Sequence, residues 1–420
     1  VSGTETSEAS GPQAPAPAAT QGRRNRRWAA GAGVALLLIA LAAGAAVSWH
    51  FSDAVLAPDH SSYAKRTEVL ALPPGRIVLE RNEESGRPGV YGLEWPGGHA
   101  IAGPIVGDRR RGFGRHPARA STAGGAEGAV TRRLRDVRGY LAPEMDVGIE
   151  SAVYSGDPRQ AFGLRTEHVS VPDELGPMPD WLAPARSRTW AIVVHGINAT
   201  PEDGLRVVPA LHRAGLPTML IRYREDQGAP ASPDGFHHMG LTEWRDLQAA
   251  ARYALARGAR RLVLVGYSMG GAIVAQFMQR SRLAPRVAGL VLDAPALDWK
   301  RAIEFNSERM GLPGFAALPV IWAIGARIDA DWHSLDAVAH PEAFQLPILL
   351  FHGLDDEVVP IATSNAFAAE LPRRVTYYRV PHAGHVQSWN VGPRRYERRL
   401  RTFLASLESA RVNQAGANRK

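Results

Sequence analysis

The chain has 420 residues, 45% of them hydrophobic and 21% charged, with a formal net charge of +8. That balance allows one large globular domain with additions, and no motif interleaves the basic charge with aromatic residues as a nucleic-acid-binding module would. Cysteine is absent, which excludes disulfides, thiolate nucleophiles and cysteine-ligated metals together.

Residues 1–27 form an expected disordered tail. Ala, Pro, Ser, Thr and Gln dominate its first part without periodicity, and it closes with Arg23, Arg24, Arg26 and Arg27. Residues 28–49 carry no charge. At about 1.5 Å per residue, such a stretch is long enough to cross a hydrocarbon core of roughly 30 Å. Trp28 and Trp49 suit the two interfaces, and the arginines place the N-terminal side in the cytoplasm. The alternative is a signal peptide cleaved near the small residues Ala43, Gly44 and Ala45. Both readings export the remainder of the chain.

Residues 60–149 read as a β-rich region, with short runs at 76–80 and 90–95 between Gly and Pro turn signals. From 103 to 138 the chain is rich in Gly and Arg, with little to bury, and a mobile surface loop is expected. After about residue 187 the pattern becomes regular. Apolar runs at 190–194, 217–221, 261–265, 287–292, 347–351 and 375–380 alternate with helical stretches such as 242–257 and 361–371. Strands alternating with helices imply βαβ units and a mostly parallel sheet. Runs that are apolar throughout fit strands covered on both faces.

Four motifs sit at the ends of these strands. Gly266-Tyr267-Ser268-Met269-Gly270-Gly271 lies between a strand and a helical stretch at 272–280. A sharp turn there forces the serine backbone into a strained conformation, and Gly266 and Gly270 leave room for it. Ser268 is therefore the candidate nucleophile. His352-Gly353-Leu354-Asp355-Asp356 follows the next-to-last strand, where a carboxylate can reach a histidine Nδ1. Asp356 is the first candidate, with Asp355 and, one strand earlier, Asp293 as alternatives. Pro381-His382-Ala383-Gly384-His385 follows the last strand and offers His385, or else His382, as the base. His195-Gly196-Ile197-Asn198 follows the strand at 190–194, and His195 reads as structural. No cofactor or metal set emerges, since the adjacent His237 and His238 do not converge on one ion.

In these motifs (H-G-I-N, G-Y-S-M-G-G, H-G-L-D-D-E-V-V-P and A-G-H) the chain resembles the α/β-hydrolase superfamily, in particular its acylglycerol-lipase-like and prolyl-oligopeptidase-like serine hydrolases. The resemblance spans about residues 150–410. It implies an eight-stranded, mostly parallel sheet with helices on both faces, a helical cap at about 294–345, and acyl-enzyme chemistry without a cofactor. It also implies an oxyanion hole built from the backbone amides of Ile197 and Met269. Trp299, Phe305, Phe315, Trp322 and Trp332 in the cap either line an acyl-binding cleft or pack in the core. The expected activity is hydrolysis of small-molecule or lipid esters with apolar acyl groups near a membrane. A peptidase, an acyltransferase and a catalytically idle anchored binding module are the rivals, and the sequence offers no evident charged subsite for a peptide terminus.

Overall fold

The computed structural model describes residues 42, 44–61, 66–110 and 128–417. Helix α1 covers 44–56. Six strands come next: β1 (Arg66–Ala71), β2 (Arg76–Glu80), β3 (Tyr91–Trp95), β4 (Gly98–Arg110), β5 (Gly128–Arg138) and β6 (Asp146–Glu150). They close into a barrel in the order β1-β2-β5-β4-β3-β6, all pairings antiparallel, with β6 returning to β1. Closure removes the open edges that a small sheet would expose. Alternate side chains point inward, so Val69, Ile77, Leu79, Leu93 and Val147 are fully buried while neighbouring Leu70 is exposed.

The Gly- and Arg-rich stretch departs from the expected loop. Residues 103–110 complete β4 and residues 128–138 form β5, leaving 111–127 outside the described residues. The pleat explains this. In β5, Val130 and Arg132 turn inward while Arg133 and Arg135 face solvent, so a run dense in arginine still alternates. The guanidinium of Arg132 is buried and donates to the backbone carbonyls of Ser85, Arg87, Gly89 and Gly103. It also lies 5.4 Å from the centroid of the Tyr91 ring. Burial lowers its pKa to about 10, which leaves it charged at neutral pH.

The rest of the described chain builds one layered α/β unit. In order come α2 (Pro158–Phe162), β7 (Glu167–Val171), β8 (Met178–Ala183), β9 (Thr189–Val194), α3 (Val208–Arg213), β10 (Thr218–Leu220), α4 (Trp244–Ala256), β11 (Arg261–Tyr267) and α5 (Met269–Arg280). After these come β12 (Val287–Asp293), α6 (Trp299–Arg309), α7 (Leu318–Ile328), β13 (Ile348–Gly353), α8 (Ile361–Glu370), β14 (Val375–Val380), α9 (Ser388–Val391) and α10 (Pro393–Ala417). The sheet has eight strands in the order β14-β13-β12-β11-β9-β10-β8-β7. From β14 to β10 the neighbours are parallel, and β8 and β7 add antiparallel at one edge. These two edge strands escape the sequence pattern because β8 contains Pro179 and Asp180 and β7 is half exposed.

Both faces of the sheet are covered. Trp190, Ile192 and Val194 of β9 enter one core with α4, α5 and α8, while Ala191 and Val193 enter the other with α3 and α10. Parallel strands carry their C-terminal ends to a common rim, where open α/β sheets bind ligands. His195, Ser268, Asp293, the loop after β13 and the loop after β14 all lie there.

Of the anticipated membrane span 28–49, residues 42 and 44–49 are described, as helix, and the others lie outside the described residues. Among the described residues no single helix is long and apolar enough to cross a membrane. Trp299–Arg309 with Gly314–Ile328 reaches that length and apolarity, as a pair bent by 115°.

Candidate active site

β11 ends at Tyr267 and α5 begins at Met269, which leaves Ser268 alone in the turn, at φ 49° and ψ −118°. This conformation is strained for any residue but glycine. The surrounding backbone holds it: Ser268 N–H donates to the Asp293 carbonyl at 3.2 Å, and its own carbonyl accepts from Gly271 at 2.9 Å and Ala296 at 3.0 Å. The flanking glycines are sterically required. A Cβ on Gly266 would stand 2.7 Å from the Gly270 oxygen, and one on Gly270 would stand 2.3 Å from the Val194 oxygen.

Ser268 Oγ lies 2.8 Å from His385 Nε2, and His385 Nδ1 lies 2.9 Å from Asp356 Oδ2. The carboxylate accepts from Nδ1–H, so Nε2 carries the lone pair that receives the serine proton. Asp356 is buried, and its other oxygen accepts from the Val358 and Val359 amides at 2.9 Å each. Burial pushes its pKa up, but the neighbouring His385 and His352 outweigh this and hold the carboxyl well below the usual range. His352 is a support that sequence reasoning passed over. Its Nε2 faces the Val359 carbonyl at 3.1 Å and Asp356 Oδ2 at 3.2 Å, and its Nδ1 accepts from Ser364 Oγ at 2.8 Å. The alternatives lie elsewhere. Asp355 and His382 face each other at 3.9 Å on the solvent side. Asp293 is buried and accepts from Ser388 Oγ at 2.7 Å.

The segment after His385 is clamped from two sides. Arg206, fully buried, donates to the Val386 carbonyl and to Asn390 Oδ1, both at 2.8 Å. Asn390 Nδ2 in turn donates to the barrel, to the carbonyl of Val90 at 2.8 Å, and to that of Ser151 at 2.9 Å. The Val90 amide donates back to the Asn390 carbonyl at 3.0 Å.

The loop after β9 passes beside the nucleophile, since a Cβ on Gly196 would stand 3.1 Å from Ser268 Cβ. Ile197 lines the same cleft as Ser268. Met269 is the first residue of α5, where a backbone N–H has no acceptor within the helix and the dipole favours negative charge. The Gly196 carbonyl is fixed by Tyr223 O–H at 2.6 Å and by His195 Nδ1 at 2.9 Å. His195 stacks on Tyr223 at 4.6 Å and sets its Nε2 2.9 Å from Asp226 Oδ2. Burial opposes a charge on His195, but the neighbouring Asp226 more than offsets it and raises the pKa. One peptide plane joins the Gly196 carbonyl to the Ile197 N–H, pointing opposite ways. Pinning the oxygen therefore aims the N–H. Tyr223→Phe is expected to lower kcat by about ten- to a hundredfold with KM little changed, and steady-state kinetics beside a thermal melt would check it. Equal losses in kcat, 1/KM and stability would mean that Tyr223 only packs.

Ser268 and His385 open onto a cleft of about 740 Å³ between the sheet rim and the barrel. Its wall is polar. Glu94 and Glu150 come from the barrel, Glu202 and Asp203 from the loop beyond β9, and Arg87 and Arg222 are also present. Burial, then the neighbouring Glu94, Asp203 and Glu84, push Glu150 up to about 7. The cap aromatics do not line this cleft. Trp299 is buried, donating its indole N–H to the Met239 carbonyl at 3.0 Å, whereas Phe315 and Trp322 are exposed. Of the two expectations for these rings, core packing holds for Trp299 and Trp332, while Phe315 and Trp322 face solvent. The carboxylates were not legible because residues 94, 150 and 202 meet only through docking of the barrel.

Residues 232–409 match the prolyl oligopeptidase family, and residues 68–149 match a family described as a domain of unknown function (DUF8805). No curated protein matches the chain in sequence. Among solved structures, the Pyrococcus furiosus esterase Pf2001 is 16% identical, over 61% of this chain and 95% of that one, with a TM-score of 0.49. The thermophilic carboxylesterase EstE1, cloned from a metagenomic library, is 18% identical over 58% and 88%, with a TM-score of 0.44. A membrane phospholipase A, a bacterial virulence factor, is 19% identical over 58% and 87%, with a TM-score of 0.42. The sheet, the strained serine between β11 and α5 and the family match define the class: the chain is a serine hydrolase of the α/β-hydrolase superfamily.

Proposed function

We propose that the protein hydrolyses carboxylic esters through an acyl-enzyme on Ser268. The observation that carries this reading is the 2.8 Å approach of Ser268 Oγ to His385 Nε2 at the floor of an open cleft. Ser268 Oγ attacks the ester carbonyl carbon as His385 takes its proton, and Asp356 stabilises the imidazolium. The oxyanion accepts from the Ile197 and Met269 amides. His385 returns the proton to the departing alcohol, and water then repeats the sequence to release the acid. Esters ask least of such a site, since an alkoxide leaves more readily than an amide nitrogen. In this reading residues 28–49 anchor the chain in a membrane, with the N-terminal tail cytoplasmic and the hydrolase unit outside.

One observation favours a second reading. Carboxylates on the cleft wall suit a substrate amine, which supports cleavage of peptides with a free amino terminus by the same triad. A panel of p-nitrophenyl esters and aminoacyl p-nitroanilides separates the two. Under the ester reading, short esters turn over and anilides do not. Under the peptidase reading, Glu150→Gln raises KM for free-amine anilides by on the order of tenfold or more, while N-acetylated ones are unaffected. A folded protein that turns over neither class would overturn both.

A further inference from the structure

From residue 310 to residue 326 the cap contains no charged side chain, and Arg309 and Arg327 flank the stretch. Much of it faces outward. Phe315 and Trp322 are each 71% exposed, and Leu312 and Leu318 more than half exposed. Soluble proteins rarely leave such a contiguous apolar set uncovered, and where they do it marks a contact surface.

Two features of the molecule say what covers it. The first is the position of α1, which is the C-terminal continuation of the uncharged stretch 28–49. α1 turns Ser48, Ser52 and Leu56 inward and leaves Val47, Trp49 and Phe51 exposed. It is fastened to α7 by Arg327, whose guanidinium stacks 4.6 Å from the Trp49 ring and pairs with Asp53 at 2.6 Å. The apolar segment that precedes the domain therefore arrives on the same helix that carries Leu318 and Trp322. The second is the tie between the cap and the cleft. Asn306 Nδ2 donates to the Val358 carbonyl at 3.0 Å, Arg309 pairs with Glu357 at 2.7 Å, and Val358 lines the cleft.

We propose that the outer face of residues 310–326, together with α1, inserts into the acyl layer of a phospholipid bilayer and holds the cleft mouth at the lipid surface. Aromatic and aliphatic side chains on a short bent helical pair can enter the headgroup–acyl boundary without spanning it. The inference rests on the reading of residues 28–49 as a membrane anchor.

The chain has no cysteine, so one nitroxide can be placed through Trp322→Cys. Tyr140→Cys, at an exposed position on the barrel, gives the aqueous reference. With the full-length chain in phosphatidylcholine vesicles, the oxygen-to-nickel collision ratio at position 322 is expected to exceed that at position 140 by about tenfold. A chain that floats with the vesicles while both positions give the same ratio keeps the anchor and overturns the docking surface. A chain that does not float overturns both. Shielding of position 322 from both reagents, growing with protein density, would assign the surface to a second copy and also overturn the proposal. As a second readout, Phe315→Ser with Trp322→Ser should leave turnover of a soluble short ester unchanged and lower that of a vesicle-embedded ester by about tenfold. Loss of both activities, or of neither, would contradict it.

Discussion

Ser268→Ala is expected to lower turnover by about six orders of magnitude with the fold intact, because the residual rate then comes from binding and oxyanion stabilisation alone. His385→Ala should cost about as much, and the double variant little more, since the two act as one unit. Asp356→Asn should cost on the order of ten-thousandfold. An amide there can donate to Nδ1, which would put the imidazole proton on Nε2 and turn it toward Ser268 Oγ as a donor. Burst kinetics with a p-nitrophenyl ester, beside labelling of Ser268 by a fluorophosphonate, measure all four. Retention of activity by Ser268→Ala would remove the acyl-enzyme reading altogether.

The second large effect concerns stability. Arg132→Leu removes the donor for four backbone carbonyls, three in the loop between β2 and β3 and that of Gly103 on β4. A buried acceptor left without a partner costs about 1–3 kcal/mol, so with relaxation and water entry the barrel should lose about 3–5 kcal/mol. Chemical denaturation followed by the tryptophan signal would show this as a lowered midpoint. Lysine should rescue little, because one ammonium cannot reach four carbonyls set around a planar guanidinium. An unchanged midpoint for Arg132→Leu would mean that the loop at 83–89 finds other donors.

The candidate site was legible because its chemistry depends on local backbone. The glycines around Ser268 are dictated by contacts within a few residues and with the adjacent strand, and the motif letters record them. The choice of Asp356 over Asp355 was legible as spacing, and the structure gives its physical basis: one carboxylate is buried under two amides and two imidazoles, while the other faces solvent. The central strands were legible for a similar reason, since strands covered on both faces must be apolar throughout. The barrel was harder to see. Its two longest strands run through a Gly- and Arg-rich stretch, the buried Arg132 looks like any other arginine in the sequence, and its closure depends on pairings such as β1 with β6. The cap aromatics stayed undecided between cleft and core in the sequence, because composition does not say which way a helix turns its rings.

Asn390 bears on when, in the life of the chain, activity begins. It bonds to Val90 across 300 residues of sequence, a separation at which loop closure is slow and comes late in folding. The barrel and the early βα units can assemble during synthesis, but the segment following the base gains its clamp only after residue 390 has emerged. A growing chain thus carries its nucleophile without a clamped base, and hydrolysis starts when Asn390 has met Val90.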